Sequence, residues 1–386
     1  MAYKILIVDD EPDLELLVRQ KFRQHVREGR FELYFAHNGK EALQQIEQNS
    51  GIDLVLSDIN MPVMDGLTLL ARLEGADHRL LKAVMVSAYG DMQNIRTAMN
   101  RGAYDFITKP IDFKDLEVTV NKTLLTVDTL KQAQREREQL LSIQQELSVA
   151  SRIQMSILPR TFPAFPDRSD FDLFADIIPA KDVGGDFYDF FLIDADRVGL
   201  VIGDVCGKGI PAAIFMGVSR TLLRATALQK LPPGPCLQYV NSILESQNDS
   251  AMFVTVFYGI LNTRTGDLEF ASGGHNPPYL LSEGKVSLLN VKPACPPGML
   301  AGEDYETRHT QLRPGDTLLL YTDGVTEAAD RAGNLFSEQG VEAYLRGAAG
   351  LSPKEVINGL VAETRKFIGE APQSDDITAL AAQYLG

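Results

Sequence analysis

The sequence predicts an α/β protein of two differently built halves. The N-terminal half reads as a doubly wound (βα)5 unit with a parallel sheet. The C-terminal half reads as a two-sheet antiparallel sandwich flanked by helices, and one long helix joins the two. Three observations predict this. Over the first 122 residues, short β-branched or aromatic runs alternate with longer runs whose apolar residues recur at three and four. Residues 121–158 contain neither Pro nor Gly, so nothing there breaks a helix. After Pro159 the pattern becomes one of period-two strands following one another, with few helical runs between them. At 386 residues the chain has room for two or three domains.

Composition narrows the function classes. Hydrophobic residues make up 45% and charged residues 23%, which is ordinary globular material. The net charge of −15 repels phosphodiester backbones and anionic lipid. Nucleic acid and membrane are therefore not expected partners. Three scattered cysteines, Cys206, Cys236 and Cys295, make neither a disulfide framework nor a zinc knuckle, and a reducing cytoplasm suits them. The N-terminus has no signal-peptide pattern, and no apolar run reaches membrane-spanning length. A cytoplasmic, bacterial-type soluble protein is the expectation.

In the first half, strands are expected at Lys4–Val8, Glu32–Ala36, Leu54–Leu56, Ala83–Val86 and Phe106–Ile107. The helices between and after them are expected at Asp13–Glu28, Gly39–Asn49, Gly66–Leu73, Met92–Arg101 and Asp112–Leu125. Five such repeats imply a parallel sheet covered on both faces, with ligands at the carboxyl ends of its strands. Those ends are chemically specific. The first runs out at Asp9-Asp10, the third at Asp58, the fourth at Ser87 and the fifth at Lys109-Pro110. Three converging carboxylates call for a hard cation, and Mg2+ prefers that all-oxygen setting. A phosphoryl group placed on one of them would need the cation, a hydroxyl and an ammonium to spread its charge.

This constellation resembles the receiver domain of two-component response regulators, over residues 1–122. Asp58 matches the phospho-acceptor, followed by Asn60-Met61-Pro62 and Asp65-Gly66 in the family's D-x-x-M-P-x-x-D-G form. The resemblance implies Asp9, Asp10, Asp58 and Asn60 around Mg2+. It also implies Ser87 as the switch hydroxyl, Lys109 as the phosphate-binding lysine and Tyr104 as the aromatic that turns inward. A cognate histidine kinase is the implied partner.

Residues 123–158 are expected as a coiled-coil linker within a helix of about 38 residues, ~57 Å long. Its apolar stripe runs through Val120, Leu124, Val127 and Leu130, then Leu140, Ile143, Leu147, Ala150 and Ile157. A narrow stripe on so long a helix points to a homodimer, and a spacer packed on its own chain is the alternative.

From 159 to 386, strands are expected at Asp172–Ile178, Asp186–Leu192, Val198–Val205, Phe253–Leu261, Asp267–Ala271, Tyr279–Ser282, Thr307–Gln311 and Thr317–Thr322, with a last one after Asp375. Helices are expected at Ile210–Leu228, Pro235–Gln247, Glu338–Ala348 and Pro353–Ile368. Four aspartates, Asp186, Asp204, Asp323 and Asp375, each stand beside a Gly or a strand end. One alone reads as a cap or turn residue. Four together read as a cage for two divalent cations that ionise a bridging water and clamp phosphoryl oxygens.

The motifs V-G-G-D-F-Y-D, G-D-V-C-G-K-G-I-P-A-A, S-G-G-H-N-P-P, Y-T-D-G-V-T-E and S-D-D-I-T resemble the bacterial stress-response and sporulation branch of the metal-dependent serine/threonine phosphatases (PPM, type 2C, the RsbU/SpoIIE group). The likeness implies two Mn2+ or Mg2+ held by Asp204, the carbonyl of Val205, Asp323 and Asp375, with Asp186 in or just behind the ligand set. Asp204, Asp323 and Asp375 are the implied catalytic residues. The implied substrate is a phosphorylated STAS-type anti-sigma-factor antagonist. Cys206 stands where the group more often has Ser. A silent adaptor that only binds such an antagonist is the alternative; Gly184-Gly185-Asp186-Phe187 also echoes a diguanylate cyclase loop, but lacks its following acid. His275 reads as a hydrogen-bonded loop residue before a general acid, and Lys181 and Lys208 as solvated surface lysines.

Overall fold

The computed structural model describes residues 2–74, 80–88, 90–246 and 248–386. By contacts the chain divides into two units, 1–143 and 144–386.

The first unit carries strands β1 (Tyr3–Val8), β2 (Phe31–Ala36), β3 (Leu54–Asp58), β4 (Lys82–Ala88) and β5 (Asp105–Lys109). Helices α1 (Pro12–Lys21), α2 (Arg23–Arg27), α3 (Gly39–Gln48), α4 (Gly66–Leu73) and α5 (Met92–Asn100) lie between them in sequence, and α6 (Phe113–Ile157) follows. All pairings are parallel in the order β2-β1-β3-β4-β5. The order reverses direction at β1 and β3, so the switch point where such sheets bind ligands falls between Asp9 and Asp58. Buried Leu54, Val55 and Leu56 fill both faces of β3 in an unbroken run, as expected of a strand covered on both sides. The expected helix Asp13–Glu28 is two helices, because Phe22 leaves helical geometry at φ −93°, ψ 10°. Its ring is buried against Phe31 and His25, and that packing outweighs helix continuity.

The expected helices Asp112–Leu125 and 121–158 are one helix of 45 residues, about 68 Å long at 1.5 Å per residue. Its N-terminal stripe is not a free seam. Val120, Leu124 and Val127 are buried in the first unit, two of them in a cluster with Ile5, Ile7 and Val84. Lys131 ion-pairs with buried Asp53, and Tyr3 donates its phenol to Asp128, so this stretch is fastened beneath the sheet. Further along, Leu140, Leu141, Ile143 and Val149 are exposed.

The second unit holds two antiparallel five-stranded sheets. Strands β6 (Phe171–Ile178), β7 (Phe187–Leu192), β8 (Arg197–Val205), β9 (Val254–Asn262), β10 (Asp267–Gly273), β11 (Tyr279–Ser282), β12 (Lys285–Leu288), β13 (Arg308–Gln311), β14 (Thr317–Tyr321) and β15 (Ile377–Tyr384) order as β13-β10-β9-β8-β7 and β12-β11-β14-β15-β6. Helices α7 (Ile210–Ala227) and α8 (Pro233–Ser246) accompany the first sheet. The helical turn α9 (Asp323–Thr326) with α10 (Ser337–Leu345) and α11 (Pro353–Ile368) accompany the second. One buried cluster spans the sandwich, from Phe187, Val201 and Phe257 to Leu318, Leu380 and Tyr384. A second lies under α10 and α11, around Leu319, Val341 and Leu360. Among the described residues, no helix is long and apolar enough to cross a membrane.

Candidate functional site

Strand ends deliver both acidic centres. In the first unit, Asp9, Asp10 and Asp58 each offer a carboxylate oxygen within 4.8 Å of the others. Asp9 and Asp58 are about 95% buried. Lys109 Nζ reaches Asp58 at 2.6 Å, Asp9 at 3.1 Å and Glu11 at 3.0 Å. Burial works against the Lys109 charge, but the three carboxylates outweigh it and raise its pKa. Burial raises the Asp9 carboxyl, opposed by the Glu11 amide and by Lys109. The Asn60 amide donates to Asp58 Oδ1 at 3.2 Å. Among the described residues, fully buried Ser87 Oγ has no hydrogen-bond partner and Asp9 Oδ2 accepts no hydrogen bond of good geometry. A buried hydroxyl left unpaired is costly, so the cavity is arranged for an acceptor that the chain itself does not supply. The donors are all oxygens and fit a hard cation. Tyr104 is half-buried, its hydroxyl 2.7 Å from Thr126 Oγ1 on α6. The Lys109–Pro110 bond is cis. Sequence reading missed Glu11, whose side chain competes for Lys109.

In the second unit, Asp204 is the next-to-last residue of β8, Asp186 precedes β7, Asp323 begins α9 after β14, and Asp375 lies just before β15. Asp186 is buried and accepts a hydrogen bond from Thr322 Oγ1 at 2.7 Å. Burial, with Asp204 and Asp376 nearby, drives its carboxyl well above the ordinary range. Burial and the charge of Asp323, with smaller contributions from Asp375 and Asp376, push the Asp204 carboxyl up to about 7 against a hydrogen bond from Asp186. Asp323 is raised by burial, then by Glu327 and Asp375. Carboxylates crowded in this way hold protons unless cations stand among them. A set of oxygen donors with unrelieved repulsion fits divalent metal. The grouping is looser than in the first unit, where one oxygen from each of three acids falls within a single 4.8 Å span.

The loop carrying Asp186 is held from three sides. Asp376, buried, accepts from the amides of Ala180 at 2.8 Å and Gly185 at 3.0 Å. Gln154, near the end of α6, donates from Nε2 to the Gly184 carbonyl at 2.7 Å and accepts from the Gly184 amide at 3.2 Å. Val205, whose carbonyl was the expected ligand, approaches so closely that a Cβ on Gly185 would lie 2.7 Å from it. A Cβ on Gly184 would lie 1.9 Å from Asp376 Oδ2. The two glycines are therefore required by space. The sequence reading placed Gln154 in the helix leading into this domain and Asp376 inside the S-D-D-I-T motif but gave neither a role, since both act through contacts distant in sequence.

Lys208 is not a free surface lysine. Its ammonium lies 2.8 Å from Asp375 and donates to the Ser374 carbonyl at 2.6 Å. Lys181 is exposed. His275 is buried, accepting at Nδ1 from Thr255 Oγ1 at 2.9 Å and donating from Nε2 to the Tyr321 carbonyl at 3.1 Å. Burial pulls its pKa down to about 4. A neutral imidazole with both nitrogens engaged braces the end of β14 and is not poised as an acid. Cys206 Sγ accepts from the Phe253 amide at 3.1 Å.

Comparison with known proteins finds relatives for both halves of the chain. Residues 5–121 match the response regulator receiver domain family, and residues 194–385 match the family described as Stage II sporulation protein E (SpoIIE). The chain is 36% identical over 124 residues to the chemotaxis protein CheY of Bacillus subtilis, covering 32% of this chain and 99% of that protein. It is 34% identical over 266 residues to protein IcfG of a Synechocystis strain, covering 61% of this chain and 41% of IcfG. It is 30% identical over 211 residues to the phosphoserine phosphatase RsbU of Bacillus subtilis, covering 53% of this chain and 61% of RsbU. The chain thus spans less than two thirds of IcfG and of RsbU. The PP2C domain of SiaA from Pseudomonas aeruginosa is a structural neighbour, with TM-score 0.56 and 26% identity over 64% of this chain and 98% of that one. The chain belongs to the two-component response regulator family through its receiver domain, and the domain that follows in the same chain is of the SpoIIE type with the PPM (PP2C) fold.

Proposed function

We propose that this protein is a metal-dependent protein serine/threonine phosphatase controlled by phosphorylation of its receiver at Asp58. The observation that carries the reading is the group Asp186, Asp204, Asp323 and Asp375, in which burial first and the neighbouring carboxylates second raise the Asp204 carboxyl to about 7. Asp204, the Val205 carbonyl, Asp323 and Asp375 would hold two Mn2+ or Mg2+ ions, with Asp186 in or just behind that set. Such an ion pair supplies a water ionised near neutral pH and a clamp on phosphoryl oxygens. The chain's own part is to keep the donors placed. Thr322 fixes the Asp186 rotamer, Asp376 and Gln154 hold the Gly184–Asp186 backbone, and His275 braces the strand that delivers Asp323.

The organisation we infer is a receiver over 1–122, a helical linker over 123–158 and a phosphatase domain over 159–386. Asp9, Asp10, Asp58 and Asn60 would hold Mg2+, with Ser87, Tyr104 and Lys109 answering the phosphoryl group. Exposed Leu140, Leu141, Ile143 and Val149 support pairing of two linkers in a homodimer. The likeness to a phosphoserine phosphatase supports a phosphorylated STAS-type anti-sigma-factor antagonist as substrate, with a histidine kinase upstream. Hydrolysis of p-nitrophenyl phosphate tests the reading. Wild type should be active with Mn2+ and silent in EDTA, and Asp204→Ala or Asp375→Ala should lose most of the rate. Equal rates in both variants would dismiss it.

A further inference from the structure

We propose that the outward face of β10 and β13 is a third cation site, taking a borderline divalent ion such as Zn2+ or Ni2+ on Asp267, Glu269 and His309. One donor atom of each lies within 4.8 Å of the other two. The sheet fixes this placement. Glu269 stands directly opposite His309 in the antiparallel register, and Asp267 is two residues back on the same face. Leu268 and Phe270, on the other face, are buried in the core and lock the strand against slipping.

The three groups are unused by the fold. Among the described residues, no hydrogen bond reaches either carboxylate or the imidazole, and no ion pair within 4.0 Å includes them. Arg197 on β8 feels the charge of Glu269 but is bonded to Asp194 at 2.6 and 2.9 Å. Two half-buried carboxylates side by side on one strand offer oxygen donors to a cation, and the imidazole opposite Glu269 shifts the preference from Mg2+ toward ions that accept nitrogen. Ligands about 2.0–2.2 Å from one ion stand closer together than 4.8 Å, so small side-chain rotations close the site, and the exposed position of His309 permits them. The site is separate from the acidic cage. Glu269 pairs with Ile260, while Asp204 pairs with Thr255, five residues along β9 and so about 17 Å away. A bound ion would staple the four-residue edge strand β13 to β10.

The test is Zn2+ titration of the full chain in excess Mg2+, followed by NMR of its five histidines. The His309 imidazole signal, identified by its loss in His309→Ala, should shift on binding while the others stay. By calorimetry the corresponding equivalent should disappear in His309→Ala and weaken in Glu269→Gln by more than the roughly 10–100-fold typical of losing an outer-shell partner. Asp204→Ala should retain it. A stationary His309 signal, unchanged binding in both β-strand variants, or loss of the equivalent in Asp204→Ala would overturn the proposal.

Discussion

Replacing Gln154 tests how the end of the long helix governs the metal loop. Gln154→Ala removes both bonds to Gly184 and leaves a buried amide and a buried carbonyl without partners. A typical bond contributes about 0.5–1.5 kcal/mol net, and a stranded buried group costs about 1–3 kcal/mol. Partial relaxation toward water puts the loss at about 2 kcal/mol in favour of a displaced loop, roughly a 30-fold shift in its equilibrium. Because metal would bind the held loop, the shift should be read as a higher metal requirement. The assay is p-nitrophenyl phosphate hydrolysis against Mn2+ concentration. The Mn2+ midpoint should rise by up to about 30-fold, the full factor applying where the displaced loop predominates, with most of the maximal rate recovered at saturation. Gln154→Glu should not rescue, since it places a carboxylate against the Gly184 carbonyl. A thermal melt close to wild type separates this from unfolding. An unchanged Mn2+ midpoint in Gln154→Ala would refute the link between helix and loop.

Asp58→Ala should abolish labelling by acetyl phosphate without unfolding the receiver; Asp58 is buried rather than exposed, but its removal leaves Lys109 paired with Asp9 and Glu11, which a receiver melt would verify. Cys206→Ser should keep its hydrolysis rate, because the thiol only accepts the Phe253 amide, a bond the hydroxyl can also accept; a dead variant would make the thiol essential. The Asp204 carboxyl, near 4 when unfolded and about 7 when folded, makes folding bind a proton. Its contribution is therefore full below about pH 4 and lost as pH rises through about 7, so the melting midpoint of the second unit in EDTA should fall over that window and flatten with Mn2+; a midpoint that rises would contradict the assigned sign. In the linker, deleting seven residues after Lys131 should preserve control by Asp58 better than deleting three, since seven roughly keeps the helical face; light scattering should also report a dimer, and a monomer with intact control would dismiss the paired linker.

Much of the fold was legible because the strands end in chemistry. Asp9, Asp58, Ser87 and Lys109 mark four strand ends of the first sheet, and their apolar runs cannot be read as exposed helix. What escaped has identifiable causes. Strand β12 is a four-residue, mostly exposed edge (Lys285–Leu288) entered through Glu283-Gly284, both at positive φ, a turn without the usual Asn-Gly signal. The turn α9 begins Asp323-Gly324, which reads as loop. The stripe Val120, Leu124, Val127 looked like a dimer seam because periodicity alone does not say which surface an apolar face covers; here it covers the receiver sheet. At the site, the four aspartates were readable from their strand ends. Gln154, Asp376 and Lys208 were not, because a polar residue's partner 30 or more positions away leaves no local pattern.

Control of the second domain by the first is tested most directly by the rate of Mn2+-dependent phosphate release from a phosphoserine peptide, measured before and after acetyl phosphate treatment in wild type and in Asp58→Ala. The rate of wild type should change on treatment and that of Asp58→Ala should not. Equal rates in wild type before and after treatment, with Asp58 verified as phosphorylated, would contradict receiver control.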